Sequence, residues 1–155
     1  MKERFAILAS LLLLLALAPA LKVEAAVRVE LDLSCETINF PSADPDDYPS
    51  VAAAENPISV RVRVTGNPWG NWRLTVLAGG DLVSGSNTIP ISNVTWTAQP
   101  LPFVDGRLDK ATPQVVASGT GNANSTGSLR FFFKNSWNYA TGNYSQVIVF
   151  TLTAP

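Results

Sequence analysis

Apolar and polar residues alternate with a period of two over several segments of this chain, and no segment after residue 25 shows a sustained helical period. The clearest cases are residues 27–33, 58–64, 129–133 and 144–153. Successive side chains of a strand point to opposite faces, so this alternation predicts half-buried β-strands. About seven short strands separated by turn-forming residues predict an all-β fold, an antiparallel two-sheet β-sandwich.

Residues 1–25 have the pattern of a secretory signal peptide. Lys2 and Arg4 precede an apolar run over residues 5–17. A membrane-spanning helix needs about 20 apolar residues, so this run is short for an anchor, although a retained anchor is the alternative interpretation. We therefore expect the protein to be secreted or displayed at the cell surface, and to meet the membrane only during export.

The expected cleavage site lies before Ala26, because Val23 and Ala25 are the small residues that signal peptidases require there. Residues 18–20, Ala-Pro-Ala, are the alternative site. The expected mature chain, residues 26–155, shows no second domain and no internal repeat.

The connections between strands are predicted from turn-forming residues. Residues 58–77 read as a β-hairpin around the turn Gly66–Asn71. Prolines and aspartates predict a loop over residues 41–57, and Gly, Asn, Ser and Thr predict a surface loop over residues 119–128.

Three further local features carry predictions. The alternation slips at Ser92-Asn93, which predicts a β-bulge, and Asp105-Gly106 predicts a tight turn. The last strand, within residues 144–153, is apolar or β-branched on both faces, which predicts a central position in its sheet.

The composition removes several kinds of active site. The chain has no His, so a Ser-His-Asp triad, a Cys-His pair and imidazole metal sites cannot be built. It has no phosphate-binding loop and no dinucleotide fingerprint. We therefore expect a protein that is not an enzyme, with no catalytic residue, no cofactor and no metal.

Two alternatives use carboxylates. A glycosidase needs a carboxylate pair, and the candidates lie mainly in turns: Asp44, Asp46, Asp47, Glu55, Asp81, Asp105 and Asp109. The run Asp44-Pro45-Asp46-Asp47 offers clustered oxygens for calcium but lacks the spacing of a calcium loop. A solvated acidic turn is the simpler interpretation.

Charge and cysteine content bound the partners. Residues 26–155 contain eight basic and ten acidic residues, and no stretch of sequence clusters Lys and Arg, so nucleic acid is not an expected partner. Cys35 is the single cysteine, so no intrachain disulfide can form. We expect Cys35 to be buried as a small apolar residue, with intermolecular pairing as the alternative.

Three aromatic residues in polar segments are candidates for ligand contact: Trp69, Trp137 and Tyr139. Exposed rings stack on sugars or anchor interfaces. The alternative is that these rings cover the ends of the sandwich.

The two ends of the mature chain resemble secreted bacterial pilin-like proteins of the spore coat protein U-like group. The resemblance lies in residues 27–35, Val-Arg-Val-Glu-Leu-Asp-Leu-Ser-Cys, in Ile38-Asn39-Phe40, and in the Gly142-Asn143-Tyr144 turn that leads into the last strand. The chain departs from that group in two features: it has no second cysteine, and it ends in Thr-Ala-Pro. The resemblance implies an immunoglobulin-like sandwich whose subunits assemble by strand exchange.

That resemblance predicts a surface structural or adhesive subunit whose partner is another copy or another surface protein. The candidate exchange segment is the first strand, with Val27, Val29, Leu31 and Leu33 on one face.

A second resemblance predicts a different function. Asn71–Val76 contains Trp72-Arg73-Leu74, similar to the Trp-x-Leu element of Gram-positive cell-wall-binding domains. It implies a non-catalytic carbohydrate- or cell-wall-binding module, with polysaccharide as the partner. Trp72 and Leu74 also fit a strand that faces the core.

Overall fold

The computed structural model describes residues 26–155, so the predicted signal peptide and its alternative as an anchor lie outside the described residues. The described chain is all-β, with one single-turn 3₁₀ helix at Ile91–Asn93. Its strands are β1 Arg28–Leu33, β2 Ser50–Ala52, β3 Ile58–Thr65, β4 Asn71–Ala78, β5 Leu82–Ser84, β6 Asn87–Ile89, β7 Val94–Gln99, β8 Gly106–Arg107, β9 Gln114–Thr120, β10 Ala123–Lys134 and β11 Ile148–Thr153. Within residues 26–155, no helix is long and apolar enough to span a membrane.

The strands form two main antiparallel sheets, which confirms the predicted β-sandwich. Sheet A has the order β1-β3-β10-β7-β8, and β2 also pairs with β10. Sheet B has the order β11-β4-β9, and β5 and β6 form a separate hairpin. Strand β10 is long enough to pair with β3 along its first part and with β2 near its end.

The core forms between the inward faces of the two sheets. Alternation in β3 and β4 buries every second side chain, as predicted for Trp72 and Leu74. The rings of Trp96 and Phe131 lie 6.1 Å apart between centroids, and the Trp96 indole donates to the carbonyl of Val104 at 2.8 Å. This bond satisfies the one polar atom of a buried tryptophan.

The turn at Gly66–Asn71 connects the two sheets and does not close a hairpin, so that prediction was wrong. Strand β3 pairs with β1 and β10, whereas β4 pairs with β9 and β11. Each of β3 and β4 has one apolar face, and placing them in opposite sheets buries both faces against each other. Alternation identifies a strand and its buried face, but it does not identify the partner strand.

Two predicted loops contain strands. Residues 123–128 of the predicted loop 119–128 are the first half of β10, paired with β3, and β2 lies within the predicted loop 41–57. The polar side chains of Asn124 and Thr126 face solvent, and the inward Gly127 lies under the ring of Phe103. A side chain at Gly127 would overlap that ring, so the strand carries glycine where an apolar residue is expected.

Two other local predictions were also wrong. The slip at Ser92-Asn93 is the 3₁₀ turn between β6 and β7, not a β-bulge. Asp105-Gly106 is not a tight turn, because Gly106 begins β8 and pairs with Trp96. The Trp96 ring covers Gly106 where a side chain would stand, which explains the glycine.

Asn56 joins the two strands that share one edge of β10. Its side-chain amide donates to the carbonyl of Phe131 at 2.7 Å, and its side-chain oxygen accepts from the Phe131 N–H at 2.8 Å. The N–H of Ala53 also donates to the Phe131 carbonyl, at 3.0 Å. Together these bonds satisfy the backbone of Phe131 at the interval between β2 and β3, where neither strand pairs with it.

Candidate functional site

Strand β1 leaves one side of the sandwich incompletely covered. Val29 and Leu31 pair directly with Val64 and Val62 of β3, so their side chains share the inward face. The β3 partners are fully buried, yet Val29 is 42% exposed and Leu33 is 38% exposed. Because these side chains face inward, their accessibility indicates that no strand of the opposite sheet, sheet B, covers them.

Strand β11 forms the opposite border of the same gap. Its inward residues Ile148, Phe150 and Leu152 are only half-buried, although they pair with buried residues of β4. Cα atoms of β1 and β11 approach within 8 Å of each other. We call the surface formed by the inward apolar side chains of β1 and β11 the open side.

The prediction that the last strand is central was wrong. Among the described strands, β11 pairs with β4 alone and is an edge strand. Its outward Val149 is 54% exposed, and Val147 just before it is 67% exposed. The apolar character of both faces, which predicted a central strand, therefore marks an exposed edge.

The opposite side of the sandwich is closed. Residues 100–105 cross from sheet A to sheet B, where the N–H of Val104 donates to the carbonyl of Val116 at 2.9 Å. Phe103 pairs with Ala117 in an isolated bridge and is 1% exposed. A connecting segment thus supplies on this side the cover that the open side lacks.

Opposite charges lie in register across β1 and β3. Glu30 lies opposite Arg63, with 3.5 Å between Oε2 and Nη1, and Asp32 lies opposite Arg61. Both pairs are on the outward face. Three residues of the candidate exchange segment, Val29, Leu31 and Leu33, are therefore paired within their own domain in this structure, whereas Val27 precedes the ladder.

The structure does not bring the three candidate aromatics together. Trp69 lies in the turn after β3 and is 92% exposed. Trp137 follows the other end of β10, a strand that spans about 35 Å at roughly 3.3 Å per residue. Tyr139 is half-buried, its ring packs against Phe133, and its hydroxyl accepts from the side-chain amide of Asn93 at 2.8 Å.

Trp137 is both exposed and fixed in orientation. Its indole N–H donates to Asp46 at 3.0 Å. The Asn135 side-chain amide donates to the carbonyls of Ala43 and Tyr48, which holds the acidic turn beside the tryptophan. Trp137 is therefore the one candidate aromatic whose ring is exposed, oriented and next to hydrogen-bonding groups.

Several candidate carboxylates serve local structure. Backbone and side-chain donors of Asn39 lower the pKa of Glu55, and the N–H groups of Ala111 and Thr112 lower the pKa of Asp109. The hydrogen bond from Lys110, with the N–H of Ile91, lowers the pKa of Asp81. A general acid at neutral pH needs a raised pKa, so these three carboxylates are poorly suited to that role.

The acidic turn is held by its own hydrogen bonds. The N–H of Asp46 donates to the Asp44 side chain at 2.9 Å, and the N–H of Tyr48 donates to the Asp44 carbonyl. No group of three or more His, Cys, Asp or Glu residues suited to a metal ion occurs within residues 26–155. Cys35, just after β1, is half-buried against the core as a free thiol.

Sequence reasoning missed the part that β11 takes in the open side. The signal was present, because Val147 and Val149 alternate with Ile148 and Phe150, but a central strand and an exposed edge strand produce the same pattern.

No family model matches this chain, and no curated protein is similar to it.

Proposed function

We propose that this chain is a secreted surface structural subunit that assembles through β-strand exchange or edge pairing, as the pilin-like resemblance implies. The observation that carries the proposal is the open side, where two unpaired strand edges border apolar side chains that remain half-exposed. Unpaired edges present free N–H and C=O groups, and they template pairing with another chain.

The apolar side chains give the pairing a driving force. Complete burial of a Val, Leu, Ile or Phe side chain stabilises by about 1.5–3 kcal/mol relative to full exposure. Part of that stabilisation remains available for an association step, because five inward side chains are only partly buried: Ile148, Phe150 and Leu152 of β11, and Val29 and Leu33 of β1. A strand from a second copy that covers them would bury apolar surface and satisfy backbone groups in one contact.

In the exchange mode of this proposal, the exchanged element is β1 itself, and the open side of each subunit stays available for edge pairing. An intermolecular β1–β3 pair would restore the contacts of the intramolecular one, including Glu30 with Arg63. Exchange of an identical element between copies is a low-cost route to assembly.

Cysteine cross-linking tests this pairing. In a Cys35→Ser background, Glu30→Cys chains are mixed with Arg63→Cys chains, refolded together and oxidised. Residues in direct cross-strand positions have Cα atoms about 4.5–5.5 Å apart, a distance that a disulfide spans. We expect disulfide heterodimers from the mixture and a ladder of oligomers from the double variant.

The control mixes Glu30→Cys with Arg130→Cys, because Arg130 lies on the same sheet face but does not pair with β1. A mixture that stays monomeric, with a double variant that forms only an internal disulfide, would contradict exchange. Cross-linking of the control at the same rate would show random collision.

The second candidate function is a carbohydrate- or cell-wall-binding module. The observation that favours it is Trp137, whose exposed ring is held in place by Asp46. A ring fixed before binding loses little entropy when a ligand stacks on it. This alternative expects retention on a neutral polysaccharide without strand exchange.

A further inference from the structure

The basic residues of this acidic protein gather on one face. Six of the eight basic residues within 26–155 lie on the outward face of sheet A: Arg28, Arg61, Arg63, Arg107, Arg130 and Lys134. Their direct cross-strand partners, such as Thr95 for Arg107 and Thr97 for Arg130, are exposed residues of the same face. The residues are scattered in sequence, and four strands bring them together.

Part of this face is neutralised and part is free. Glu30 and Asp32 of β1 lie opposite Arg63 and Arg61. By contrast, Arg107, Arg130 and Lys134 make no side-chain hydrogen bond or salt bridge to any residue within 26–155. The charge of Arg107 does act on the nearby Asp109 carboxylate, whose pKa it helps to lower. We call these three residues, with Phe132 between them, the basic cluster. Phe132 is outward and half-buried, and pairs with Thr95 across β7.

A shallow depression continues from the basic cluster along β10. It has a volume of about 510 Å³ and is lined by Ser59, Gln99, Pro100, Thr126, Gly127 and Ser128. A second depression of about 290 Å³ shares Gln99 and Ser128 with it and includes Arg130 and Asp105.

The depression has a structural cause. Strand β7 ends at Gln99, opposite Ser128, so the first five residues of β10 have no β7 partner. Hydroxyl, amide and backbone groups are therefore accessible beside a guanidinium.

We propose that this face binds an acidic polysaccharide, a chain of uronic acid residues, along β10 from the depression to the basic cluster. Hydroxyl and amide groups of Ser128, Thr126 and Gln99 suit sugar hydroxyls, which both donate and accept. The Arg130 and Arg107 guanidiniums bind carboxylates as planar forks, and Phe132 offers an apolar surface to a sugar ring. Ser128 to Lys134 spans about 20 Å at roughly 3.3 Å per residue.

Charge density favours a polyuronate over a nucleic acid. Arg130 and Lys134 are about 13 Å apart along β10 at roughly 3.3 Å per residue, whereas duplex DNA carries a charge every 1.7 Å or so. Glu30, Asp32 and Asp105 also place negative charge on or beside the same face. Cations that are separated by hydroxyl and amide groups match a polymer whose carboxylates are separated by sugar hydroxyls.

Affinity electrophoresis of the purified secreted protein in gels that contain polygalacturonate tests the proposal. We expect saturable retardation at 50 mM salt that weakens at 200 mM, and little retardation by the methyl-esterified polymer, which lacks the charges. Arg130→Gln should weaken binding about tenfold, the effect of one charge-assisted hydrogen-bonded pair. Arg73→Gln, an exposed arginine of sheet B, is the matched control and should bind like the native protein.

Three results would overturn the proposal. Equal retardation by the esterified polymer would show that the exposed aromatics, and not the basic cluster, bind the polymer. Tighter binding of a single-stranded oligonucleotide than of polygalacturonate would make the face a nucleic-acid site. An equal loss in Arg73→Gln would show that net charge alone governs retention. Since Arg130 lies away from the open side, Arg130→Gln should leave the cysteine cross-linking unchanged, which separates this test from that of assembly.

Discussion

The two sides of the sandwich differ in how their inward apolar side chains are covered. On the closed side, residues 100–105 cross between the sheets, and Trp96 and Phe103 fill the space beneath them with almost no exposure. On the open side, β1 and β11 face each other with no segment between them, and apolar side chains of both strands stay half-exposed. The sheets carry inward apolar residues to both sides, so the difference lies in the cover and not in the strands.

This contrast distinguishes the residues that stabilise the folded monomer from those that are available to stabilise an assembly. Residues covered by the chain itself contribute to folding of the monomer. In the proposed assembly, the residues of the open side would contribute part of their burial energy to association. Substitutions on the two sides should therefore differ in size and in their dependence on protein concentration.

The largest effect is expected at Phe131, which is fully buried against Trp96. Phe131→Ala removes a ring from a close-packed site and should lower the free energy of unfolding by about 3–5 kcal/mol. Urea denaturation followed by tryptophan fluorescence measures it. A loss below about 1 kcal/mol would show that the core around Trp96 relaxes to fill the space.

A smaller effect is expected at Phe150 on the open side. Because its ring is half-exposed, Phe150→Ala should lower the free energy of unfolding of the monomer by about 1–2 kcal/mol. If the protein assembles by edge pairing as proposed, the loss should grow with protein concentration, because a second copy would cover the ring. If the loss in the monomer equalled that of Phe131→Ala, β11 would be covered within the monomer and the contrast between the sides would fail.

The smallest effect is expected at Val149, which lies on the outward face of β11. Val149→Thr keeps the shape and the β-branch, so unfolding should change by less than about 0.5 kcal/mol. Measured beside Phe150→Ala, it separates the inward face of the edge strand from its outward face. A loss as large as that at Phe150 would reverse the assignment of the two faces.

Local pattern predicted most strands and their buried faces. Alternation located β1, β3, β4 and the second half of β10, because a strand with one buried face imposes a period of two on the sequence. It missed Ala123–Ser128, where the inward Gly127 makes room for Phe103 and the outward residues are polar. The requirement for glycine there comes from a ring 24 residues earlier in the chain, and no local pattern records it.

The sequence by itself determined that this chain is an all-β sandwich, because alternation, turn residues and the lack of a helical period all follow from the geometry of single strands. Only the tertiary structure decided that β3 and β4 lie in different sheets and that the last strand is an edge. It also brought Arg107 and Arg130 to one face. These properties depend on which strands are neighbours, and pairing between distant segments is set by the joint burial of many side chains rather than by any one segment.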